Sequence, residues 1–166
     1  MTGFTTRSIH NKYLKQDSHN SLHFPVYDSG SFEFESAEDL EKAFLGQKPS
    51  HMYSRISNPT VENFEQKVKG ITNSLAVVAL SSGMAAIANL VLAVALKGDN
   101  IVTAKYLFGN TYSFFEKTLK PWGLNVKYAD LTDASRIDGI IDNRTKIIFL
   151  ETITNPQLEI ADMKAL

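Results

Sequence analysis

Two segments of the sequence contain residue types that bind phosphate groups. In residues 53–60 (YSRISNPT), the guanidinium of Arg55 offers a planar fork of donors that suits phosphate or carboxylate, and Tyr53 adds a hydroxyl close by. Further along, Gly83 lets the backbone approach an anion at the start of a predicted helix, where amide groups are unpaired, and Ser82 can add a hydroxyl donor. Each segment is also compatible with an ordinary turn or a surface arginine before a helix, so spacing alone leaves both interpretations open.

Two further segments follow predicted strands and suit contact with a flat ring. Phe108 lies in the sequence LFGNT, where an aromatic side chain beside a glycine can stack on a planar ligand. Asn155 lies in the sequence ETITNP, where its amide can reach a ligand hydroxyl. The ordinary alternatives are a core phenylalanine and a turn-forming asparagine before proline. Neither G-x-G-x-x-G nor G-x-x-x-x-G-K-[ST] occurs, so a dinucleotide or nucleoside triphosphate site is not predicted.

The elements that must position these segments alternate between strand and helix from residue 58 to residue 166. Short apolar runs predict four strands, at residues 75–80, 101–104, 124–129 and 146–151. The first of these strands is expected to be covered on both faces. Helical spacing and capping residues predict five helices. The first begins at Asn58, and the second is buried, starts at Met84 and ends at Gly98. The others cover residues 112–119, cover residues 133–141, and begin at Asp162. This alternation implies an α/β fold with a mainly parallel sheet and flanking helices, whose ligands lie at the carboxyl ends of the strands.

Residues 1–55 differ from the rest of the chain in their isolated aromatic residues and their lack of periodicity. One helix is predicted at residues 37–45, with Ser36 as its cap and Gly46 at its end. A segment of this composition is expected to pack against another part of the protein or against a partner chain. We therefore treat residues 1–55 as an N-terminal arm and residues 56–166 as an α/β domain.

Composition excludes several classes of function. The sequence has 17 Lys and Arg residues against 18 Asp and Glu, so that no basic surplus predicts binding to nucleic acid or to an anionic membrane. The lack of cysteine excludes disulfides, thiolate metal sites and a cysteine nucleophile. The longest apolar stretch, residues 84–96, is shorter than the roughly 20 residues that a membrane span needs, and the N-terminus lacks the apolar core of a secretory signal. We expect a cytoplasmic protein with no metal, nucleic-acid or membrane partner.

In this order, the four segments resemble the motifs of the Cys/Met-metabolism PLP-dependent enzymes, a family of fold-type I pyridoxal 5′-phosphate (PLP) enzymes. The family includes cystathionine γ-synthase, cystathionine lyases, methionine γ-lyase and O-acetylhomoserine sulfhydrylase. The resemblance covers essentially the whole chain, and residues 53–60 are its most specific part. It implies that residues 56–166 are the first part of the large PLP-binding domain. We expect the chain to be a fragment, because the helix predicted at Asp162 would have only about one turn.

The resemblance implies how the PLP phosphate is bound. The family's Ser-Gly-Met turn corresponds to Ser82, Gly83 and Met84, which would hold the phosphate. Tyr53 and Arg55 would reach the phosphate of the neighbouring subunit, so that the N-terminal arm crosses to a partner and completes its active site. This implies a homodimer or homotetramer with shared active sites.

The resemblance also implies how the PLP ring is held. Phe108 is the ring-stacking residue, Asn155 contacts the ring hydroxyl, and Glu151 lies at the floor of the same strand end. The family usually has a tyrosine at the stacking position, and a phenylalanine cannot donate a proton there, so Tyr53 of the partner is the expected proton donor. The lysine that binds PLP covalently and the aspartate that pairs with its ring nitrogen lie further along in the family. The 166 residues alone are therefore expected to be inactive.

The expected reaction of the intact enzyme is γ-replacement, in which O-acetylhomoserine and sulfide (or a thiol) give homocysteine and acetate. Residues 34–38 (FESAE) and 155–162 (NPQLEIAD) look more like those of O-acetylhomoserine sulfhydrylases than those of lyases. A cystathionine γ-synthase or a methionine γ-lyase is the alternative within the family. From another class, a non-catalytic α/β binding module complete at 166 residues is the remaining alternative.

Overall fold

The computed structural model describes residues 3–9 and 19–166. The chain forms two compact units, Met1–Ala79 and Leu80–Leu166. The expectations for residues 1–2 and 10–18 of the N-terminal arm lie outside the described residues. No helix among the described residues is long and apolar enough to cross a membrane.

The described residues of the first unit form three helices, two of which begin at capping residues. They are α1 (Phe4–Ile9), α2 (Ala37–Phe44) and α3 (Pro59–Thr72). The hydroxyl of Ser36 accepts a hydrogen bond from the Asp39 amide at 3.1 Å, and the side chain of Asn58 accepts one from the Thr60 amide at 2.8 Å. The two helices predicted in this unit are therefore confirmed. Gly46 follows α2 with φ +69°, the left-handed conformation that ends a helix at little cost to glycine.

Part of the N-terminal arm contacts the region around the start of α3. The Phe32 amide donates to the Met52 carbonyl at 3.1 Å, and the Ser54 amide donates to the Gly30 carbonyl at 3.0 Å. Tyr27 is held on both sides, because its amide donates to the Thr60 hydroxyl and its carbonyl accepts from the Asn58 side chain. The described part of the arm is thus tied to the segment that contains the YSRISNPT motif. Its crossing to a neighbouring subunit stays a prediction.

The second unit is built on three parallel strands in the order β2–β1–β3. The strands are β1 (Asn100–Ala104), β2 (Asn125–Ala129) and β3 (Thr145–Phe149). The predicted strands at 101–104, 124–129 and 146–151 are confirmed to within two residues at each end. Helix α4 (Gly83–Val94) precedes β1, and helix α5 (Gly109–Phe114) continues as a π-helical turn, Phe115–Leu119, before β2.

The core of the second unit lies between the sheet and these helices. The largest fully buried side chains are Phe115, Ile101, Leu119, Val91 and Val102. The ring of Phe115 also meets that of Phe149 edge-on, with 5.3 Å between the ring centroids. Each such side chain contributes about 1.5–3 kcal/mol by leaving water, so this core stabilises β1 as the central strand that carries the site described below.

The strand predicted at residues 75–80 is wrong. None of the described residues pairs with this segment as a strand, and the side chain of Leu75 is 94% exposed. An apolar run predicts burial, whereas a strand also needs a neighbouring strand to satisfy its backbone groups, and that neighbour is not a local property of the sequence. One amide of the segment, that of Ala79, donates to the carboxylate of Glu65 instead.

Three predicted helices differ from the structure. Helix α4 ends at Val94, before Gly98, and only Val91 is buried in it, because the described residues do not cover its outer face. The helix predicted at 133–141 is only a short 3₁₀ turn, Ala134–Arg136, in a stretch that also contains Gly139, a poor helix former. The predicted helix at Asp162 is a turn, in which the carboxylate still caps the Ala165 amide at 3.2 Å.

A group of hydrogen bonds, here called the polar clasp, joins the amino ends of β1 and β3 to the middle of β2. The buried side chain of Asn100 donates to Asp142 at 2.9 Å and accepts from the Thr145 hydroxyl at 2.6 Å. Lys127 of β2 donates to the other oxygen of Asp142 at 2.7 Å. The donated bonds from Lys127, Asn100 and the Arg144 amide hold the pKa of the Asp142 carboxyl well below its usual value.

Candidate functional site

The sheet has a topological switch point at β1. The chain leaves β1 for β2 on one side and later returns to β3 on the other side. In open parallel sheets, ligands bind beyond the carboxyl ends of the strands at such a point. The residues that follow β1 and β3 are therefore the first place to look for a site.

The structure brings two predicted site residues together at this switch point. The amide of Phe108, which follows β1, donates to the carboxylate of Glu151, which follows β3, at 2.7 Å. The ring of Phe108 is 49% exposed, so that about half of its surface is open to contact with a ligand. A Cβ placed on the adjacent Gly109 would meet nothing within 4 Å, so the space beside the ring is open.

The N-terminus of α4 has the form of a phosphate site. The Ser82 hydroxyl accepts from the Ala85 amide at 3.1 Å and so caps the helix, which leaves its own hydrogen free to donate. Gly83 and Met84 occupy the first two helical positions, where amides have no partner inside the helix. A Cβ placed on Gly83 would meet nothing within 4 Å. This open cradle is what an approaching phosphate needs.

Thr111 links the phosphate turn to the loop that carries Phe108. Its hydroxyl donates to the sulfur of Met84 at 3.7 Å, and its side chain is buried. Thr111 lies in the first turn of α5, three residues after Phe108. Sequence reasoning missed this residue, although its place in the LFGNT segment was an available signal. The structure thus groups Met84, Phe108 and Glu151 around the starts of α4 and α5.

Asn155 lies apart from this hydrogen-bonded group. Its side chain is exposed, it precedes Pro156 in a cis peptide, and it makes no hydrogen bond among the described residues. The turn that carries it is closed by Thr154, whose hydroxyl accepts from the Glu159 amide at 2.9 Å. Thr154 is buried and was also missed by sequence reasoning.

Tyr53 and Arg55 belong to the first unit and form a pair of their own. The guanidinium carbon of Arg55 lies 5.1 Å from the centroid of the Tyr53 ring. Both side chains are exposed, and the contact between cation and ring orients the guanidinium without using its hydrogen-bond donors. The pair is therefore free to bind an anion.

A cleft of about 310 Å³ opens at the carboxyl ends of the three strands. Glu151 and Thr154 line it from β3, and an ion pair between Arg136 and Asp130, with 3.0 Å between nitrogen and oxygen, lines it from β2. Hydrogen bonds from Thr132, with the nearby Arg136 guanidinium, hold the pKa of the Asp130 carboxyl below its usual value. Sequence reasoning did not single out the ion pair.

Comparison with known proteins identifies this arrangement as a PLP-binding α/β fold. A putative O-acetylhomoserine (thiol)-lyase from Campylobacter jejuni, solved with a pyridoxyl-lysine phosphate, superposes with a TM-score of 0.88 at 30% identity, over 98% of this chain and 40% of that one. The L-methionine gamma-lyase of Pseudomonas putida is 32% identical over 98% of the chain and 41% of its own length. The O-acetyl-L-homoserine sulfhydrylase of Corynebacterium glutamicum is 36% identical over 98% of the chain and 38% of its own length.

The family follows from the match over residues 5–166, which is described as Cys/Met metabolism PLP-dependent enzyme. The chain belongs to this family, and it spans about 40% of the length of these relatives. The predicted family, fold class and cofactor are confirmed. The residues present fit PLP, because the N-terminus of α4 is open to a phosphate and the exposed Phe108 ring can meet a flat heterocycle.

Proposed function

We propose that the protein to which this chain belongs catalyses PLP-dependent γ-replacement, in which O-acetylhomoserine and sulfide (or a thiol) give homocysteine and acetate. The observation that carries this choice is the half-exposed ring of Phe108 at the stacking position, which has no hydroxyl. Acetate leaves readily without a proton, whereas a thiolate leaving group benefits from one. A site without a phenol at this position suits an acyl-homoserine better than methionine.

PLP, when bound, withdraws electrons from the substrate's Cα and thereby acidifies the hydrogens on Cα and then on Cβ, so that a γ-substituent can leave. In this proposal, Ser82, Gly83 and Met84 bind its phosphate at the N-terminus of α4. Phe108 excludes water from one face of its ring, and Asn155 donates its amide to the ring hydroxyl.

Tyr53 and Arg55 complete the site of a neighbouring subunit in the proposed homodimer or homotetramer. Arg55 supplies a phosphate contact, and Tyr53 supplies any other proton that the reaction needs, whereas acetate leaves without one. Support comes from the exposure of both side chains and from their mutual orientation at 5.1 Å. The lysine and the aspartate that the family uses to hold PLP are proposed to lie in the longer protein, so that the 166 residues alone do not turn over substrate.

A methionine γ-lyase is the second candidate, because the family relatives include enzymes of that name. Steady-state rates of the whole protein with PLP would distinguish the two. We expect homocysteine from O-acetylhomoserine and sulfide at a kcat/KM well above that for release of methanethiol and 2-oxobutyrate from methionine. A clear preference for methionine would replace the sulfhydrylase with the lyase. Lack of both activities, in a protein that binds PLP, would direct attention to other γ-substituted amino acids.

A further inference from the structure

An aromatic residue occupies the N-cap position of α5. Phe108 immediately precedes Gly109–Phe114, and its side chain cannot accept a hydrogen bond from the first turn, as a serine, threonine or aspartate would. Local sequence preference therefore does not explain a phenylalanine at this position.

The backbone of Phe108 is held from a distant part of the chain. Its amide donates to the carboxylate of Glu151 at 2.7 Å across 43 residues of sequence. The carboxylate also lies at the start of α5, where the partial positive charge of the helix favours an anion. A bond to a charged acceptor is stronger than one between neutral groups, so this contact is well suited to fix the loop.

About half of the surface of the Phe108 ring is exposed, so side-chain packing holds the ring only in part. The position of the Phe108 backbone therefore matters for the orientation of the ring. Among the described residues, three ties hold that backbone. Glu151 holds the Phe108 amide to the end of β3, the Tyr112 amide donates to the Phe108 carbonyl at 3.0 Å, and Thr111 holds the first turn of α5 to Met84 at 3.7 Å. The Glu151 bond is the shortest of the three, has a charged acceptor, and is the tie to Phe108 that comes from outside α5.

We propose that Glu151 is a positioning residue that fixes the Phe108 ring for stacking on the cofactor by holding the Phe108 amide, and that it does not contact the cofactor itself. This inference rests on the proposed function, since it assigns the role of a residue within the same site. It also changes the expectation from sequence, in which Glu151 was a cofactor-binding residue. In this proposal, the Glu151 carboxylate acts on the cofactor only indirectly, by holding the loop that carries Phe108.

Substitutions of Glu151 in the whole protein test the role of its oxygen. Glu151→Ala removes the acceptor, and Glu151→Asp keeps the charge but is one methylene too short to reach. We expect both to weaken PLP binding about tenfold, the effect of losing one hydrogen bond to a charged group, and to reduce the visible circular dichroism of bound PLP. Glu151→Gln keeps an acceptor oxygen and should stay within about threefold of wild type.

The matched control is Asp138→Ala, since this exposed carboxylate of the same unit does not line the cleft and makes no hydrogen bond among the described residues. It should bind PLP as the wild type does. Thermal midpoints of the apo proteins show whether each variant is folded. If Glu151→Ala does not fold, the comparison between Glu151→Gln and Glu151→Asp gives the result.

A double-mutant cycle with Phe108→Ala separates positioning from direct contact. If Glu151 acts through the ring, Glu151→Ala should have no further effect on PLP affinity in the Phe108→Ala background. An equal loss in both backgrounds, or wild-type affinity and circular dichroism in Glu151→Ala, would overturn the inference while leaving the proposed function intact. A wild-type protein that binds no PLP would overturn both.

Discussion

Phe108 places an aromatic ring at the end of β1 without placing a proton donor there. The ring is half exposed, its amide is held by Glu151, and it follows the central strand of the sheet. At the scale of single residues, we propose that a phenylalanine at this position separates two roles, stacking and proton donation. General-acid assistance is typically worth about 10²–10⁴-fold in rate, so the separation can be measured.

Restoring the hydroxyl with Phe108→Tyr is therefore expected to act selectively. PLP affinity should be preserved because the ring is retained, and turnover of O-acetylhomoserine should change little because acetate needs no proton. Elimination of methanethiol from methionine should rise by tenfold or more, within the range for general-acid catalysis. Steady-state rates on both substrates give the answer. Equal gains on both, or loss of PLP, would show that Phe108 is not the stacking residue.

Gly83 offers a second test at this scale. Since a Cβ at this position meets no protein atom within 4 Å, Gly83→Ala should fold with unchanged or slightly raised stability. The added methyl group would occupy the space proposed for the phosphate, and PLP affinity should fall by about tenfold, the loss of one charge-assisted hydrogen bond. Titration with PLP and thermal unfolding of the apo protein measure the two effects separately. The control is Ser81→Ala, at an exposed residue just before the turn.

At the scale of elements, local signals predicted helices α2 and α3 and three of the strands. Helices α2 and α3 were predicted because Ser36 and Asn58 are strong caps, and three strands were predicted from apolar runs between turns. Residues 75–80 have the same kind of apolar run and form no strand. The difference is a pairing partner, which lies far away in sequence and leaves no mark in the run itself.

In the candidate site, too, the sequence predicted local features but not contacts between distant residues. Motifs predicted Ser82 and Gly83 at a helix start and Phe108 after a strand, and the structure has each of them there. The contact between Phe108 and Glu151 joins residues that are 43 positions apart, and the bond between Thr111 and Met84 joins residues 27 apart. Such contacts follow from the parallel pairing of β1 and β3 and from helix packing. They could not be predicted from sequence spacing.

The polar clasp predicts how the sheet responds to acid. The pKa of Asp142 is lowered in the folded protein, chiefly by Lys127 and then by Asn100. A carboxyl with a lowered pKa stabilises the fold above its unfolded pKa of about 3.9, and that contribution is lost as the pH falls below this value. The thermal midpoint of the wild type should therefore fall more steeply between about pH 5 and pH 2 than that of Asp142→Asn.

The control for this comparison is Asp138→Asn, because Asp138 is exposed and makes no hydrogen bond or ion pair among the described residues. Its thermal midpoint should follow that of the wild type across the same pH range. If Asp142→Asn also follows the wild type, the clasp does not contribute to the acid sensitivity of the sheet.

At the scale of the whole molecule, apolar surface in both units is uncovered. Leu75 in the first unit and the outer face of α4 in the second are exposed, with Leu90 at 53%. Exposed apolar surface of this extent marks an interaction with further protein. The relatives are about two and a half times as long as this chain, which covers 41% of the Pseudomonas putida enzyme. We propose that other parts of the longer protein and neighbouring subunits cover this apolar surface.

Sharing of active sites between subunits can be tested with two variants of the whole protein. Arg55→Ala removes the phosphate contact proposed to come from the neighbour, and Gly83→Asp places a repelling charge beside the phosphate at a helix start that tolerates aspartate. Each homo-oligomer should be nearly inactive. A purified hybrid dimer, carrying one copy of each variant, has one site with both residues intact and should recover about half of the wild-type activity. Hybrids no more active than their parents would contradict the shared site.

The position at which PLP binds tests the proposed site most directly. A crystal structure of the whole protein with PLP is therefore the decisive measurement. We expect the phosphate within hydrogen-bond distance of the Gly83 and Met84 amides and the Ser82 hydroxyl, with the ring of Phe108 against the face of the cofactor. A phosphate bound away from the N-terminus of α4, or a Phe108 ring that does not touch the cofactor, would contradict the account.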